Sequence, residues 1–226
     1  MSYFKDRAEA GQKLAGALSD YKSQENTQIL ALPRGGIPIA YEIASQLRLP
    51  LNVFLVRKLG VPDHEELAMG AIAEENICIL NQKLIEQLRI NEEQIQKVYE
   101  KEKEELKRRL QLYRKNLPLP SLKDKNIILV DDGVATGATL KAVIHALKNF
   151  HPANIIIAVP VASKESLLDL SPLVQKIICL IAPENFYGVG SWYESFEQTN
   201  DETVIHLLNK AKDDMQQEAN EREYRW

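Results

Sequence analysis

Short apolar runs alternate with amphipathic segments along most of this chain. The apolar runs cover residues 29–32, 51–56, 127–130, 155–159 and 177–181. Between and around them, apolar residues recur at helical spacing over 4–22, 39–47, 140–147 and 163–170, and again from 201 onward. Strands that alternate with helices in this way form a parallel sheet with helices on both faces. The pattern therefore predicts an α/β fold built on a doubly wound, mainly parallel sheet.

Residues 82–118 interrupt this alternation as a helical insertion. Within it, residues 91–116 predict one long, mostly polar helix, with a capping box between Asn91 and Gln94 at its start. Its thin apolar stripe is interrupted at Glu102. The helix could be an oligomer contact or an arm over the core, or it could be a plain solvated helix. We interpret 1–226 as a single domain carrying this insertion.

Composition and charge narrow the class of protein. The 226 residues are 45% apolar and 27% charged, which is typical of a globular protein, and the net charge of −4 argues against a nucleic-acid surface. No apolar run is long enough to span a bilayer, and the N-terminus lacks the apolar core of a signal peptide. Cys78 and Cys179 are too few for a zinc site. We expect a cytoplasmic protein with both thiols buried.

The strongest chemical signal follows the apolar run at 127–130. Two adjacent carboxylates, Asp131 and Asp132, end this predicted strand, and a loop of small residues and threonines leads to the next helix. Ligands of open α/β sheets lie beyond the carboxyl ends of the strands, and a helix N-terminus there attracts phosphate. The carboxylates can accept hydrogen bonds from sugar hydroxyls. The segment therefore predicts a site for a sugar phosphate, although a strand-to-helix turn with capping side chains is the alternative.

This stretch closely resembles the 5-phosphoribosyl-1-pyrophosphate (PRPP) motif of type I phosphoribosyltransferases. The resemblance implies that Asp131 and Asp132 hold the ribose 2′- and 3′-hydroxyls. It also implies that a five-residue loop wraps the 5′-phosphate. The loop consists of Ala135, Thr136, Gly137, Ala138 and Thr139.

Two further segments resemble parts of the same family. The loop at 33–36 resembles its pyrophosphate loop, so Arg34, Gly35 and Gly36 would contact the departing pyrophosphate, with a cis peptide bond next to Arg34. Arg57 and Lys58 begin a polar segment, 57–70, in the place of the family's mobile catalytic lid. The alternatives are a glycine-rich turn with a surface arginine and a solvated loop. Residues 71–73 and 77–80 predict a small antiparallel hairpin.

Aromatic residues are concentrated in a segment after the last predicted strand, about 183–198. Aromatic faces stack on flat heterocycles, and this region of the family forms a hood over the nucleobase. We therefore expect an acceptor pocket formed by Phe186, Tyr187, Val189 and Trp192. The alternative is an aromatic cluster that packs against the N-terminal helix or against a neighbouring subunit.

The resemblance implies a Mg²⁺-dependent phosphoribosyltransferase that moves phosphoribose from PRPP to a nucleobase-like nitrogen and releases pyrophosphate. The catalytic set would be Asp131, Asp132, Lys58 and Arg34. No residue would ligate the metal directly: the ion would be held by PRPP oxygens, with any contact to the acid pair running through water.

The chain departs from the family's hypoxanthine-guanine enzymes in one respect: Ala135 stands where they carry an acid. The general base is then open among His64, Glu66 and Glu184. A non-catalytic PRPP or nucleotide sensor on the same fold is the alternative function. The partners expected are PRPP, a nucleobase-like molecule and a second copy of the chain, and neither nucleic acid nor membrane.

Overall fold

The computed structural model describes residues 4–74 and 77–223. The helices are α1 (Arg7–Ala17), α2 (Gly36–Leu47), α3 (Gln82–Leu88), α4 (Glu92–Arg114), α5 (Ala138–Lys148), α6 (Lys164–Leu170) and α7 (Asp201–Glu223). The strands are β1 (Thr27–Ala31), β2 (Leu51–Val53), β3 (Val56–Val61), β4 (His64–Ala73), β5 (Cys78–Leu80), β6 (Asn126–Val130), β7 (Asn154–Val161) and β8 (Lys176–Ile181). None of the helices in the described ranges combines the length and apolar character needed to cross a bilayer.

The described chain forms two compact units. The first consists of 4–54, 119–137 and 151–223, and the second of 55–74, 77–118 and 138–150. The single-domain interpretation stays a prediction.

The first unit is built on a five-stranded parallel sheet in the order β2-β1-β6-β7-β8. Strands β1 and β6 are buried along nearly their whole length, as their apolar sequences predict, and they pair in register from Thr27 with Asn126 to Ala31 with Val130. From β1 the chain winds outward to β2, and from β6 it winds the other way to β7 and β8. The predicted α/β fold is confirmed, and the winding reverses between β1 and β6.

The N-terminal segment pairs with the aromatic segment that follows β8. Phe4 and Tyr193 form a parallel bridge. Three backbone hydrogen bonds join the two segments: from Phe4 N to Trp192 O at 3.2 Å, from Glu194 N to Phe4 O at 2.8 Å, and from Ser195 N to Lys5 O at 2.9 Å. Helix α1, which leads out of this pairing, packs on α2. The N-terminal segment is therefore held against the segment that precedes α7.

The second unit contains the antiparallel sheet β3-β4-β5, with α4 and α5 packed against its strands. The prediction of a loop over 57–70 is wrong, because these residues form most of β3 and β4. The apolar run at 51–56 is likewise divided between β2 of the first sheet and the start of β3. The hairpin of β4 and β5 is confirmed, and its turn residues 75 and 76 lie outside the described residues.

Helix α4 begins with the predicted capping box: Gln94 N donates to Asn91 Oδ1, and Asn91 N donates to Gln94 Oε1. Glu102, which interrupts the apolar stripe, is buried, and a hydrogen bond from Arg57 on β3 offsets the cost of burying its carboxylate. The prediction of two buried thiols is wrong for Cys78, which is exposed at the start of the short edge strand β5, and Cys179 is half-buried.

Candidate active site

The acid pair lies at the carboxyl end of β6. Val130 is fully buried, whereas Asp131 and Asp132, which follow it, are half-buried and reach the edge of the sheet. The backbone N–H of Asp132 donates to Oδ1 of Asp131 at 2.9 Å, which orients the first carboxylate. Burial raises the pKa of Asp131 well above its usual value, and the neighbouring charge of Asp132 raises it further. A ligand with paired hydroxyls would relieve both effects by hydrogen bonding to the charged form.

The loop after β1 lies against the acid pair. Its Pro33–Arg34 peptide bond is cis, as predicted. Gly36 has no room for a side chain, since a Cβ there would lie 2.7 Å from the carbonyl oxygen of Val130. A Cβ on Gly35 would lie 2.0 Å from Oδ2 of Asp132. The backbone of Val130 therefore requires glycine at position 36, whereas the atom close to Gly35 belongs to a side chain. The two loops approach each other at the point where the winding of the sheet reverses, which is where ligands of such sheets bind.

We expect Gly35→Ala to displace the Asp132 carboxylate without unfolding the protein, because the crowded atom is the end of a side chain, which can move if it gives up its hydrogen bonds to Arg7. The affinity for PRPP should fall at least about tenfold, the loss expected when one charge-assisted hydrogen bond is broken. Isothermal titration calorimetry measures this. Gly16→Ala is the matched control: it has open space around its Cβ position and should bind normally while stabilising the fold by about 0.5–1 kcal/mol. Equal affinity in the two variants would contradict the prediction.

A cavity of about 260 Å³ opens beside these two loops. It is lined by Arg7, Arg34, Gly35, Asp132, Phe196, Gln198 and Thr199. Nη1 of Arg34 lies 3.7 Å from Asp201 Oδ1 at the start of α7, so its guanidinium is held at the cavity wall. Arg7 and Thr199 carry no local sequence pattern that marks them as site residues. Phe196 and Gln198 lie in the predicted aromatic segment but were not among the four residues expected in the acceptor pocket. Their neighbours in space are distant along the chain.

The small-residue loop after the acid pair is supported by α6. The hydroxyl of Ser166 donates to the carbonyl oxygen of Ala135 at 2.6 Å, and the Ser163 hydroxyl lies 2.8 Å from the same oxygen. In a trans peptide the N–H points opposite to the carbonyl, so the N–H of Thr136 is directed away from these serines. Gly137 has a φ of +71°, a conformation that favours glycine. Ser163 could have been found as the N-cap residue after a strand; Ser166 carries no such signal.

The other residues of the predicted loop, Ala138 and Thr139, begin α5 and belong to the second unit, as do Arg57 and Lys58. Arg57 lies on β3, where its Nε and Nη2 atoms lie 2.7 and 2.6 Å from Oε2 of Glu102. Lys58 follows it on the strand and lines, with Arg57 and Glu102, a cavity of about 280 Å³. Both cations thus lie on a strand rather than in the predicted loop.

Residues of the expected acceptor pocket are in different environments. Val189 packs against Gly133, beside the acid pair, whereas the side chain of Tyr187 is 84% exposed. Phe186 and Trp192 are half-buried. The alternative of packing against the N-terminal segment describes Tyr193, whose ring lies 5.5 Å from that of Phe4.

The candidates for a general base are not gathered at the acid pair. His64 is exposed at the start of β4, in the second unit. Glu184 is exposed and forms an ion pair with Lys164. The side chain of Glu66 lies outside the described residues.

These features define the chain as a parallel α/β protein with an acid pair and a small-residue loop at the point where its sheet reverses winding. Comparison with known proteins gives the family. Residues 4–193 match the family model described as phosphoribosyl transferase domain, and the chain belongs to this family.

Three similar proteins extend this result. Proteins named "Putative phosphoribosyl transferase" in two strains of Mycobacterium tuberculosis are 36% identical over 214 residues, which is 95% of this chain and 48% of theirs, so the chain spans about half the length of these relatives. The crystal structure of TT1426 from Thermus thermophilus is 34% identical, with a TM-score of 0.80 over 93% of this chain and 99% of that one.

Proposed function

We propose that this protein transfers the phosphoribosyl group of PRPP to a ring nitrogen of a nucleobase-like acceptor. The observation that carries the proposal is the contact between the glycine loop after β1 and the acid pair after β6, at the switch point of the sheet. In the reaction the bond from C1′ to the pyrophosphate oxygen breaks, and pyrophosphate leaves with the electron pair. A bond forms from C1′ to the acceptor nitrogen, which loses its proton to a base or to water.

Each part of the site has a role in this chemistry. Asp131 and Asp132 accept hydrogen bonds from the ribose hydroxyls and stabilise positive charge that develops on the sugar. The loop from Ala135 to Thr139 binds the 5′-phosphate through backbone N–H groups near a helix N-terminus. Arg34, with the backbone of Gly35 and Gly36, binds the pyrophosphate. Arg57 and Lys58 are proposed to assist there, and Phe186, Tyr187, Val189 and Trp192 to contact the acceptor.

We include Mg²⁺ as the cofactor; when bound, the ion neutralises charge on the departing pyrophosphate. Within the described ranges, no group of three or more His, Cys, Asp or Glu side chains could hold a metal. We propose that the ion is carried by phosphate oxygens and water, with Asp131 and Asp132 reaching it only through water or sugar hydroxyls. A homodimer in the cytoplasm also stays part of the proposal.

The test is pyrophosphate release from PRPP and Mg²⁺ over a panel of purine, pyrimidine and pyridine bases, with PRPP binding measured alongside. Release that requires one of the bases supports the transferase. PRPP binding with no release across the panel would favour the alternative, a sensor of PRPP. Absence of PRPP binding would overturn both.

A further inference from the structure

Arg7 on α1 reaches the acid pair although 125 positions separate it from Asp132. Its Nε and Nη2 atoms donate to Asp132 at 3.0 and 2.7 Å, and both bonds end on the same oxygen, Oδ2. Oδ1 is therefore not the atom that Arg7 engages. The resemblance on which the site was predicted assigned no role to this arginine.

The Arg7 guanidinium is held on three sides. Besides Asp132, its Nη1 atom donates to the carbonyl oxygen of Glu197 at 2.7 Å, and its central carbon lies 3.8 Å from the centre of the Phe196 ring. The side chains of Arg7 and Asp132 are 11% and 18% exposed. An ion pair this enclosed, with a planar cation fixed by three partners, is a preorganised contact rather than a transient surface pair.

The backbone of Asp132 is fixed as well. The hydroxyl of Tyr193 donates to the carbonyl oxygen of Asp132 at 2.7 Å. Burial raises the pKa of Tyr193, and the charge of Asp132 raises it further, so the hydroxyl keeps its proton and remains a donor. Tyr193 and Phe196 are in contact, with ring centres 4.9 Å apart. Two rings of the aromatic segment thus fix Asp132: Tyr193 holds its backbone, and Phe196 packs on the arginine that binds its side chain.

Two simpler roles for Arg7 make different predictions. If Arg7 only anchored α1 to the aromatic segment, it would need only its contacts with Glu197 and Phe196. Removing it would then lower the stability of the fold without a specific effect on ligand affinity. A blocking residue would compete with the ribose for Asp132, and removing it would strengthen PRPP binding. The placement of both N–H groups on Oδ2, together with the enclosure of the pair, argues for neither.

We propose that Arg7 is a positioning residue that holds Asp132 by Oδ2 and thereby presents Oδ1 to a ribose hydroxyl. This inference rests on the proposed function. Arg7 also places a positive charge beside the acid pair, and this charge offsets the repulsion between Asp131 and Asp132. Second partners that orient a binding carboxylate are a general means of fixing its geometry.

The test compares PRPP affinity, by calorimetry, in wild type, Arg7→Gln, Arg7→Lys, Asp132→Asn and the double variant Arg7→Gln/Asp132→Asn. Arg7→Gln should weaken binding about 10- to 100-fold, the range for loss of a charge-assisted pair. Arg7→Lys, which keeps the charge but not the planar fork, should recover part of this loss. In the Asp132→Asn background, Arg7→Gln should have little further effect, because Arg7 acts through Asp132.

Lys13→Gln is the matched control, since it removes a positive charge from the exposed side of the same helix, where Lys13 pairs with Glu9; its affinity should equal that of wild type. Unchanged or tighter binding by Arg7→Gln, or the same loss in the Asp132→Asn background, would overturn the inference alone. If Arg7→Gln fails to fold, Arg7→Lys decides: affinity equal to wild type would overturn the inference. No binding by wild type would overturn the proposed function as well.

Discussion

Asp131→Asn/Asp132→Asn should lower the affinity for PRPP by at least about 100-fold, because two hydrogen bonds to charged acceptors are weakened together and each contributes about 1.5–3 kcal/mol. Calorimetric titration with PRPP measures the change. Glu9→Gln on α1 is a suitable control, since it removes a negative charge from an exposed ion pair with Lys13. Unchanged affinity in the double aspartate variant would contradict the assignment of this site to the ribose.

At Asp131, the loss of binding should not come from unfolding. The folded protein raises the pKa of Asp131, so ionising this group costs free energy in the folded state relative to the unfolded chain. Below about pH 4, the ordinary pKa of Asp, the group is protonated in both states and Asn gains nothing. As pH rises toward the raised pKa, wild type loses stability that Asp131→Asn keeps. The free energy of unfolding of the single variant should therefore exceed that of wild type at pH 7, and the difference should shrink toward pH 4.

Arg114→Ala should destabilise the second unit strongly. Arg114, in the last turn of α4, pairs with Glu74 at the end of β4, and their side chains are only 10% and 3% exposed. Glu74 also accepts a hydrogen bond from the backbone N–H of Leu55 at 3.0 Å. Removing the cation leaves the buried carboxylate of Glu74 without its ion pair to Arg114, which typically lowers the free energy of unfolding by about 3–5 kcal/mol. Denaturant unfolding measures the loss, and hydrogen exchange should quicken most in β3 and β4.

Two variants serve as controls for this pair. Arg109→Ala removes an arginine from the same helix, but Arg109 pairs with the more exposed Glu105, so the loss should be about 0–1 kcal/mol. Glu74→Gln/Arg114→Met removes both charges and should recover most of the stability, since no buried charge remains. Within the described part of the chain, Nε and Nη1 of Arg114 are buried without a hydrogen-bond partner, which adds to the expected recovery. A loss in Arg114→Ala no larger than in Arg109→Ala would contradict the prediction.

The failure at residues 57–70 has a physical cause. Charged residues, a proline and glycines interrupt the apolar alternation there, and such a composition is typical of a loop. The segment is nevertheless a pair of strands, which shift register around Gly60 and rest against α4. Arg57 on this hairpin is satisfied by Glu102, 45 positions later. A strand stabilised by a distant helix leaves no periodic signal of its own.

Contacts with distant elements also decide the environment of each ring in the aromatic segment. Its concentration of rings was visible in the sequence, and base recognition and packing on the N-terminal segment were both open. Tyr193 is buried against Phe4, while Tyr187 is exposed. Which rings are buried and which are exposed depends on the pairing of the N-terminal segment with the aromatic segment, and a local pattern cannot show that pairing.

The sequence by itself determined the parallel sheet, the succession of its strands and helices along the chain, and the positions of the acid pair and glycine loop, because these depend on local periodicity and on residue types that follow strand ends. Only the tertiary structure decided which distant groups meet there. The position of Asp132 depends on close packing by Gly35 from one loop, a hydrogen bond from Tyr193 in the aromatic segment and an ion pair with Arg7 on the first helix. Contacts between residues 61 to 125 positions apart depend on how the elements pack, and that information is not contained in any single segment.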